Sequence, residues 1–338
     1  MKCTNKAQKR IKHTVLLSLF LIICILGGIL SILILRGSRK LDTVLPYDIE
    51  TEVFGMAPEK SSQVADGIAA SLCVAAEDKE LEGVSVQDNE RAALFDLNSK
   101  EVMFAKSMHE QAYPASITKV MTAIVAIKYG EMSDIVTISE NAVAQEADSQ
   151  VCGFAAGDKV SMEELLHGLL VYSGNDAAAA IAEHVGGSTE EFVRMMNEEA
   201  ERLGATGTHF TNPHGLHDAD HYTTVYDIYL MLNEAINYKE FVSMTQLGDY
   251  TLLYEKADGQ DSSIYMESTD KYLTGEIAVP KDVIVLGGKT GTTDEAGACL
   301  ALIAQNAYGE PFISIVLNAE TKINLYERMS SLLQNINS

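Results

Sequence analysis

The sequence predicts a mixed α/β (α+β) domain: one mostly antiparallel sheet of about five strands, flanked by helices, with a helical lobe inserted, behind an N-terminal transmembrane helix. Three observations predict it. Strand-like apolar runs lie at both ends of the domain, in ERAALFDLNSKEVMFAK and in VIVLGGKTGTT, GACLALIAQ and PFISIVLNA. Between them, apolar residues recur at helical spacing behind recognisable caps, so the economical assembly joins both sets of strands in one sheet and covers it with the helices. Ahead of all this, Val15 to Leu35 carries no charge, and about 20 apolar residues cross a bilayer core as a helix.

The apolar span sets the organisation. A cleaved signal has an apolar region of about 7–15 residues ending at a small-residue site. This span is longer and runs into Arg36-Gly37-Ser38-Arg39-Lys40, which fits an uncleaved anchor. Five Lys/Arg precede it and three follow, so the positive-inside bias places a cytoplasmic tail at 1–13, the anchor at 14–35 and everything later outside the cell membrane. Residues 36–88 read as an acidic, weakly periodic stalk with a short helix near Val64 to Ala76, and 89–338 as the folded domain. Charge removes one class of function. Residues 1–40 hold eight Lys/Arg and no acid, which leaves 17 basic against 48 acidic residues in the remainder. Such a surface repels nucleic acid and anionic lipid, and no nucleic-acid partner is expected.

Within the domain, Asp96-Leu97-Asn98-Ser99-Lys100 separates two strand runs as a hairpin turn. A helix over Ser116 to Tyr129 follows, closed by Gly130, which suits the position just past a helix end. Ser161 with Glu164 forms a capping box that opens a helix to about Tyr172. Ser173-Gly174-Asn175-Asp176 interrupts it, and helix resumes until Gly186-Gly187. Ser188 with Glu191 caps a further helix ending at Gly204, and another runs from about Val225 to Asn237. The three late strands come next, with an amphipathic helix from about Ile323 to Asn335 closing the chain. Cys73, Cys152 and Cys299 read as small apolar core residues, although a Cys73–Cys152 or Cys152–Cys299 bridge stays open outside the cell. Their spacing is neither C-x-x-C nor a zinc pattern.

One lysine stands out. Lys119 lies among Ile117, Val120, Met121, Ile124 and Val125, and residues three apart share a helix face, so Ser116 points the same way. Burying an ammonium lowers its pKa by up to ~3–5 units. A neutral lysine beside a serine hydroxyl is a base beside a nucleophile. The plainer alternative is a lysine snorkelling from a helix end, with Ser116 as an ordinary cap. Two further stretches tip the balance: Ser173-Gly174-Asn175 at the helix break, and Lys289-Thr290-Gly291, followed by Thr292, in a strand. S-x-x-K, S-x-N and K-T-G in that chain order form the three-part signature of penicillin-interacting serine enzymes.

From about Glu90 onward the chain resembles the low-molecular-mass penicillin-binding proteins that act as serine-type D-alanyl-D-alanine carboxypeptidases. The stretches that carry the resemblance are PASITKVMTAIVA, HGLLVYSGNDAAAAIAEHVGG, HFTNPHGLHDADHYTTVYDI and GGKTGTTDEAGACL. It implies a β-lactamase/transpeptidase-like fold and a hydrolase of cell-wall biogenesis that takes the terminal D-alanine from peptidoglycan pentapeptides. It also implies that β-lactams inhibit by forming a long-lived ester. Residue by residue, it implies that Ser116 attacks, Lys119 takes its proton and Ser173 relays a proton to the leaving D-alanine. Asn175 would orient Lys119 and hold the substrate amide. Lys289, with Thr290 and Thr292, would bind the terminal carboxylate beside Gly291, and the N–H groups of Ser116 and Thr292 would hold the oxyanion.

No cofactor and no metal are expected. His214, His217 and His221 crowd one loop at a conceivable metal spacing, but that loop matches a structural segment of the family. Many members carry a second β-rich domain and a C-terminal amphipathic anchor; here the N-terminal span is expected to anchor instead. The rivals are a serine β-lactamase, for which the E-x-x-L-N stretch is missing between Asn175 and Lys289, a D,D-endopeptidase, and a non-catalytic sensor of β-lactam or wall peptide.

Overall fold

Alternation along the strands decides which core each residue joins. The computed structural model describes residues 72–337. Its strands are β1 (Arg91–Asp96), β2 (Glu101–Lys106), β3 (Ile135–Thr137), β4 (Lys159–Ser161), β5 (Asp249–Glu255), β6 (Asp261–Glu267), β7 (Ile284–Thr293), β8 (Gly297–Gln305) and β9 (Pro311–Ala319). Five of them form the main sheet in the order β2-β1-β9-β8-β7, antiparallel throughout. On β8, Ala298, Leu300, Leu302 and Ala304 face one core, which the C-terminal helix Lys322–Leu333 covers with Leu325, Tyr326 and Met329. The intervening Cys299, Ala301 and Ile303 face the other core, shared with the central helices. A period of two on a sheet covered on both sides produces this division. The antiparallel five-stranded sheet with helices on its faces and a helical region between its first and last strands matches the expected architecture.

The hairpin turn is tied by Asp96, whose Oδ1 accepts from the N–H groups of Asn98 at 2.8 Å and Ser99 at 3.0 Å. Ser161 and Ser188 cap their helices by accepting from Glu164 N and Glu191 N. Gly130 ends its helix in an extended conformation (φ −95°) rather than a left-handed one. Cys73, Cys152 and Cys299 are free and buried.

Three features differ from the sequence expectations. A second antiparallel sheet, β3-β4-β5-β6, flanks the helical lobe. Two of its strands span three residues each, too short for a period to register, and β5 and β6 are largely exposed. The short helix Lys239–Thr245 is likewise not among the expected elements. Residues 72–88, assigned above to the stalk, pack on the domain: Cys73 N donates to the Tyr229 hydroxyl at 2.8 Å, Lys79 bridges to Ala105, and Leu81, Val84 and Val86 lie against the outer core. Those apolar residues are sparse in sequence and gain meaning only from the surface they meet. Of the short helix expected near Val64 to Ala76, the described part, 72–76, is irregular. No helix among the described residues is long and apolar enough to cross a membrane; the expected anchor at 14–35 lies outside them.

Candidate active site

The segment containing Ser116 begins as a 3₁₀ turn, Ala115–Thr118, and continues as the α-helix Lys119–Tyr129. In a 3₁₀ turn, residues three apart eclipse, which aligns Ser116 with Lys119 more directly than an α-helix would. Ala115, just before the serine, sits at φ 46°, and Ser173 sits at φ 71°. Non-glycine residues in this region cost on the order of 1–3 kcal/mol each and persist where surrounding structure enforces them. The enforcement is visible at both. Ser173 terminates a π-helical turn, Gly168–Tyr172. Around Ala115, the carbonyl accepts from Thr118 Oγ1 at 2.8 Å, and Gly215 crosses so closely that a Cβ there would lie 1.9 Å from the same oxygen.

Lys119 is fully buried. Its Nζ lies 2.7 Å from Asn175 Oδ1, 2.8 Å from the His214 carbonyl oxygen and 2.9 Å from Ser116 Oγ. Burial, and then repulsion from Lys289, hold its pKa well below the ordinary lysine value. A neutral amine has two hydrogens and one lone pair. The two carbonyl-type oxygens can only accept, so they take the two hydrogens, and the lone pair is left facing the serine hydroxyl. Asn175 opens the helix Asn175–Gly186. Its neighbour Asp176 fixes the facing loop by accepting from the N–H groups of Cys152 and Gly153.

Ser116, Ser173, Thr290, Gly291 and Thr292 line one cavity of about 150 Å³. The approach of β7 to the nucleophile turn requires Gly291, because a Cβ there would fall 2.9 Å from Ser116 N and 3.0 Å from the Pro114 oxygen. Upstream, the register of β7 against β8 shifts between Val285 and Gly287, the bulge that Gly287-Gly288 suggests. Thr290 Oγ1 shares a hydrogen bond with Thr269 Oγ1 at 2.6 Å. Lys289 is the exception among the predicted residues. It is buried behind this wall, and its Nζ donates to the Thr290 carbonyl at 2.9 Å. Burial lowers its pKa to about 7, against an opposing pull from Asp270.

Sequence reasoning missed several residues here. Gln150, Lys271, Cys299, Lys322 and Tyr326 also line the cavity, and no carboxylate is among its lining residues. Asp270 lies behind it, accepting from Tyr272 N at 3.0 Å and Tyr326 OH at 3.2 Å, with burial raising its pKa to about 6. None of these residues carries a motif; only the path of the chain assembles them. The histidine loop is used structurally. Thr118 Oγ1 donates its hydrogen to Ala115, so His221 Nε2 donates to that oxygen at 2.8 Å, while Nδ1 accepts from Thr211 N at 3.0 Å. His214 gives its carbonyl to Lys119, and burial lowers the pKa of its ring to about 3.

A serine hydroxyl against a buried amine whose charged form burial disfavours, at the edge of an antiparallel sheet sandwiched by helices, is the layout of a serine acyl-transfer site. Residues 80–321 match the profile of the D-alanyl-D-alanine carboxypeptidases, peptidase family S11, and the chain belongs to that family. It is 35% identical over 236 residues to D-alanyl-D-alanine carboxypeptidase DacF of Bacillus subtilis, covering 68% of this chain and 57% of that protein. Identity to DacA of Haemophilus influenzae is 32% over 247 residues, covering 71% and 60%. The chain thus spans about three fifths of the length of these curated relatives. Among solved structures, a D-alanyl-D-alanine carboxypeptidase from Mycobacterium tuberculosis superposes with a TM-score of 0.65 at 25% identity, covering 74% of this chain and 90% of that one. A single-residue mutant of Streptomyces K15 DD-transpeptidase gives 0.66 at 25% identity, covering 75% and 97%.

Proposed function

We propose that this chain is a serine D-alanyl-D-alanine carboxypeptidase that removes the terminal D-alanine from peptidoglycan stem peptides through an acyl-enzyme on Ser116, and that β-lactams inhibit it by acylating the same oxygen. Ser116 Oγ bonds to the carbonyl carbon of the penultimate residue as its proton passes to Lys119 Nζ. The oxyanion is held by the N–H groups of Ser116 and Thr292; one such donor is worth about 2.7–4 kcal/mol. The C–N bond then breaks, and the departing amine takes a proton delivered through the Ser173 hydroxyl. Asn175, whose oxygen faces Lys119, offers its NH₂ to the substrate amide. Lys289 and the Thr290 and Thr292 hydroxyls favour the terminal carboxylate, with Lys271 and Lys322 adding positive charge along the cavity wall. Water, activated by Lys119 in the reverse sense, hydrolyses the ester. The single observation that carries this reading is the pairing of the buried Lys119 Nζ, held by two carbonyl oxygens, with the cavity-lining Ser116 Oγ at 2.9 Å.

The same reading includes anchoring. The uncharged span from Val15 to Leu35, with more basic residues before it than after, supports a single-pass helix over 14–35 with the catalytic body outside the cell membrane and a short tail inside. The domain partition of tail, anchor, linker and catalytic body belongs to this proposal too.

Ser116→Ala tests it. The variant should release no D-alanine from a D-Ala-D-Ala-terminated peptide and form no covalent penicillin adduct, while its circular dichroism and melting temperature match the parent. Retained release would remove Ser116 as the nucleophile. Rapid multiple-turnover hydrolysis of penicillin by the parent would favour a β-lactamase instead.

A further inference from the structure

Lys271 and Lys322 lie on the wall of the same cavity that holds Ser116. Lys271 is tied to that wall from both sides. Its backbone N–H donates to the hydroxyl of Tyr326, another lining residue, at 2.8 Å. Two residues earlier, Thr269 shares a hydrogen bond with Thr290 of β7 at 2.6 Å, and Gly291 and Thr292 continue from Thr290 along the face opposite the nucleophile. An ammonium anchored this way is suited to meet an anionic substrate end.

The ammonium is already engaged. Lys271 Nζ donates to Glu276 Oε2 at 3.0 Å. A closed loop presents the two residues to each other. The Asp270 carbonyl accepts from Leu273 N at 3.1 Å and Thr274 N at 3.2 Å, and the Lys271 carbonyl accepts from Ile277 N at 3.0 Å. Gly275 turns the loop at φ 77°, and the Thr274 hydroxyl donates to Glu276 Oε1 at 3.3 Å. The hydrogen bond from Lys271, and then its charge, hold the Glu276 carboxyl below the usual carboxylate range, and Lys322 pulls the same way. Glu276 is not itself among the residues lining the cavity. The lysine therefore faces the substrate while its counter-charge stands at the rim.

We propose that Glu276 sets how strongly the cavity selects a substrate with a free terminal carboxylate, and that it does so by withholding Lys271. An anionic end gains from Lys271 only what Glu276 gives up, and the charge of Glu276 opposes the approach of an anion. A neutral end, such as an amide, faces no such contest. The cavity is accordingly less selective for a carboxylate than its lysines alone would make it, and more tolerant of leaving groups whose carboxylate is masked. The proposal rests on the carboxypeptidase reading above and deepens it.

The test compares kcat/KM for release of D-alanine from a D-Ala-D-Ala-terminated peptide with that for release of D-alaninamide from the same peptide amidated at its end. Glu276→Gln keeps the size and removes the charge. It should raise the acid-to-amide ratio about two- to fivefold, the range of an exposed ion pair. The gain should come through KM with kcat unchanged, and it should shrink as salt rises. Lys271→Ala should lower the ratio by a smaller factor, and Glu276→Gln added to Lys271→Ala should move it little. The Lys271 and Glu276 side chains are 36% and 58% exposed, so neither change threatens the fold, and a parental yield of penicillin adduct checks that. A ratio that stays level or falls in Glu276→Gln, or a gain that persists without Lys271, would overturn the proposal while D-alanine release by the parent upholds the carboxypeptidase reading. No release by the parent, with no penicillin adduct, would overturn both.

Discussion

Lys119 and Lys289 are both almost wholly removed from water, and burial lowers the pKa of each, but their neighbours act on them in opposite directions. Around Lys119 stand an amide oxygen and a backbone carbonyl, dipoles that satisfy an amine without stabilising its charge as a carboxylate would, and after burial the largest influence on it is repulsion from another lysine, which outweighs the opposing pull of Asp176. Asp176, the closest carboxylate in sequence to Asn175, has its oxygens engaged by loop N–H groups. Around Lys289 the hydrogen bond is again to a backbone carbonyl, but Asp270 lies near enough to pull its pKa upward against burial, leaving it at about 7. Burial alone therefore does not assign a lysine its role. The identity of the neighbour does: carbonyls make a base, and a carboxylate retains a cation.

The hardest test of that contrast is Lys119→Met, which keeps the volume and deletes the amine. Acylation by penicillin should fall by roughly 10²–10⁴-fold, the usual worth of a general base, as measured by the rate of covalent labelling. Near-parental labelling would mean that another group takes the Ser116 proton. A smaller and signed effect is expected at Asp270. The substrate carboxylate favours protonated Lys289, so kcat/KM should decline as pH rises through about 7. Asp270→Asn removes the group that raises that value, and the alkaline decline should begin about one pH unit lower. An unmoved profile would uncouple the two residues.

The two lysines were not equally legible in the sequence. Ser116 and Lys119 are legible because both sit on one short helical segment, where a spacing of three fixes their relation, and because two further motifs outweigh the plainer reading of a lysine snorkelling from a helix end. The same holds for the strands of the main sheet, whose long apolar runs state their period. Lys289 was recognisable as part of a tripeptide, but its burial and its neighbour were not. Asp270 lies 19 residues upstream in an irregular segment, and nothing local marks it. The second sheet was illegible for a related reason. Its strands are short or exposed, so their pairing depends on the lobe they cover. The cavity-lining Gln150, Lys271 and Lys322 belong with these: residues of ordinary type, made specific by where the chain returns.

Lys322 yields the smallest effect and the finest discrimination. It opens the helix Lys322–Leu333, whose N-cap is Thr321, and that helix also supplies Leu325 and Tyr326 to the cavity. A carboxylate in the cavity would meet the positive end of this helix as well as the lysine. Because Lys322 is exposed, water and salt screen it, and an exposed pairing is worth about 0.2–1 kcal/mol. Lys322→Ala should accordingly raise KM for a D-Ala-D-Ala-terminated peptide by about two- to fivefold with kcat little changed, and the difference should shrink as ionic strength rises. The control lies in the substrate: penicillin derivatives esterified at the carboxylate should acylate parent and variant at equal rates. If the ester distinguishes the two proteins as strongly as the free acid does, Lys322 acts through the shape of the wall, and carboxylate recognition returns to Lys289 and the threonines alone.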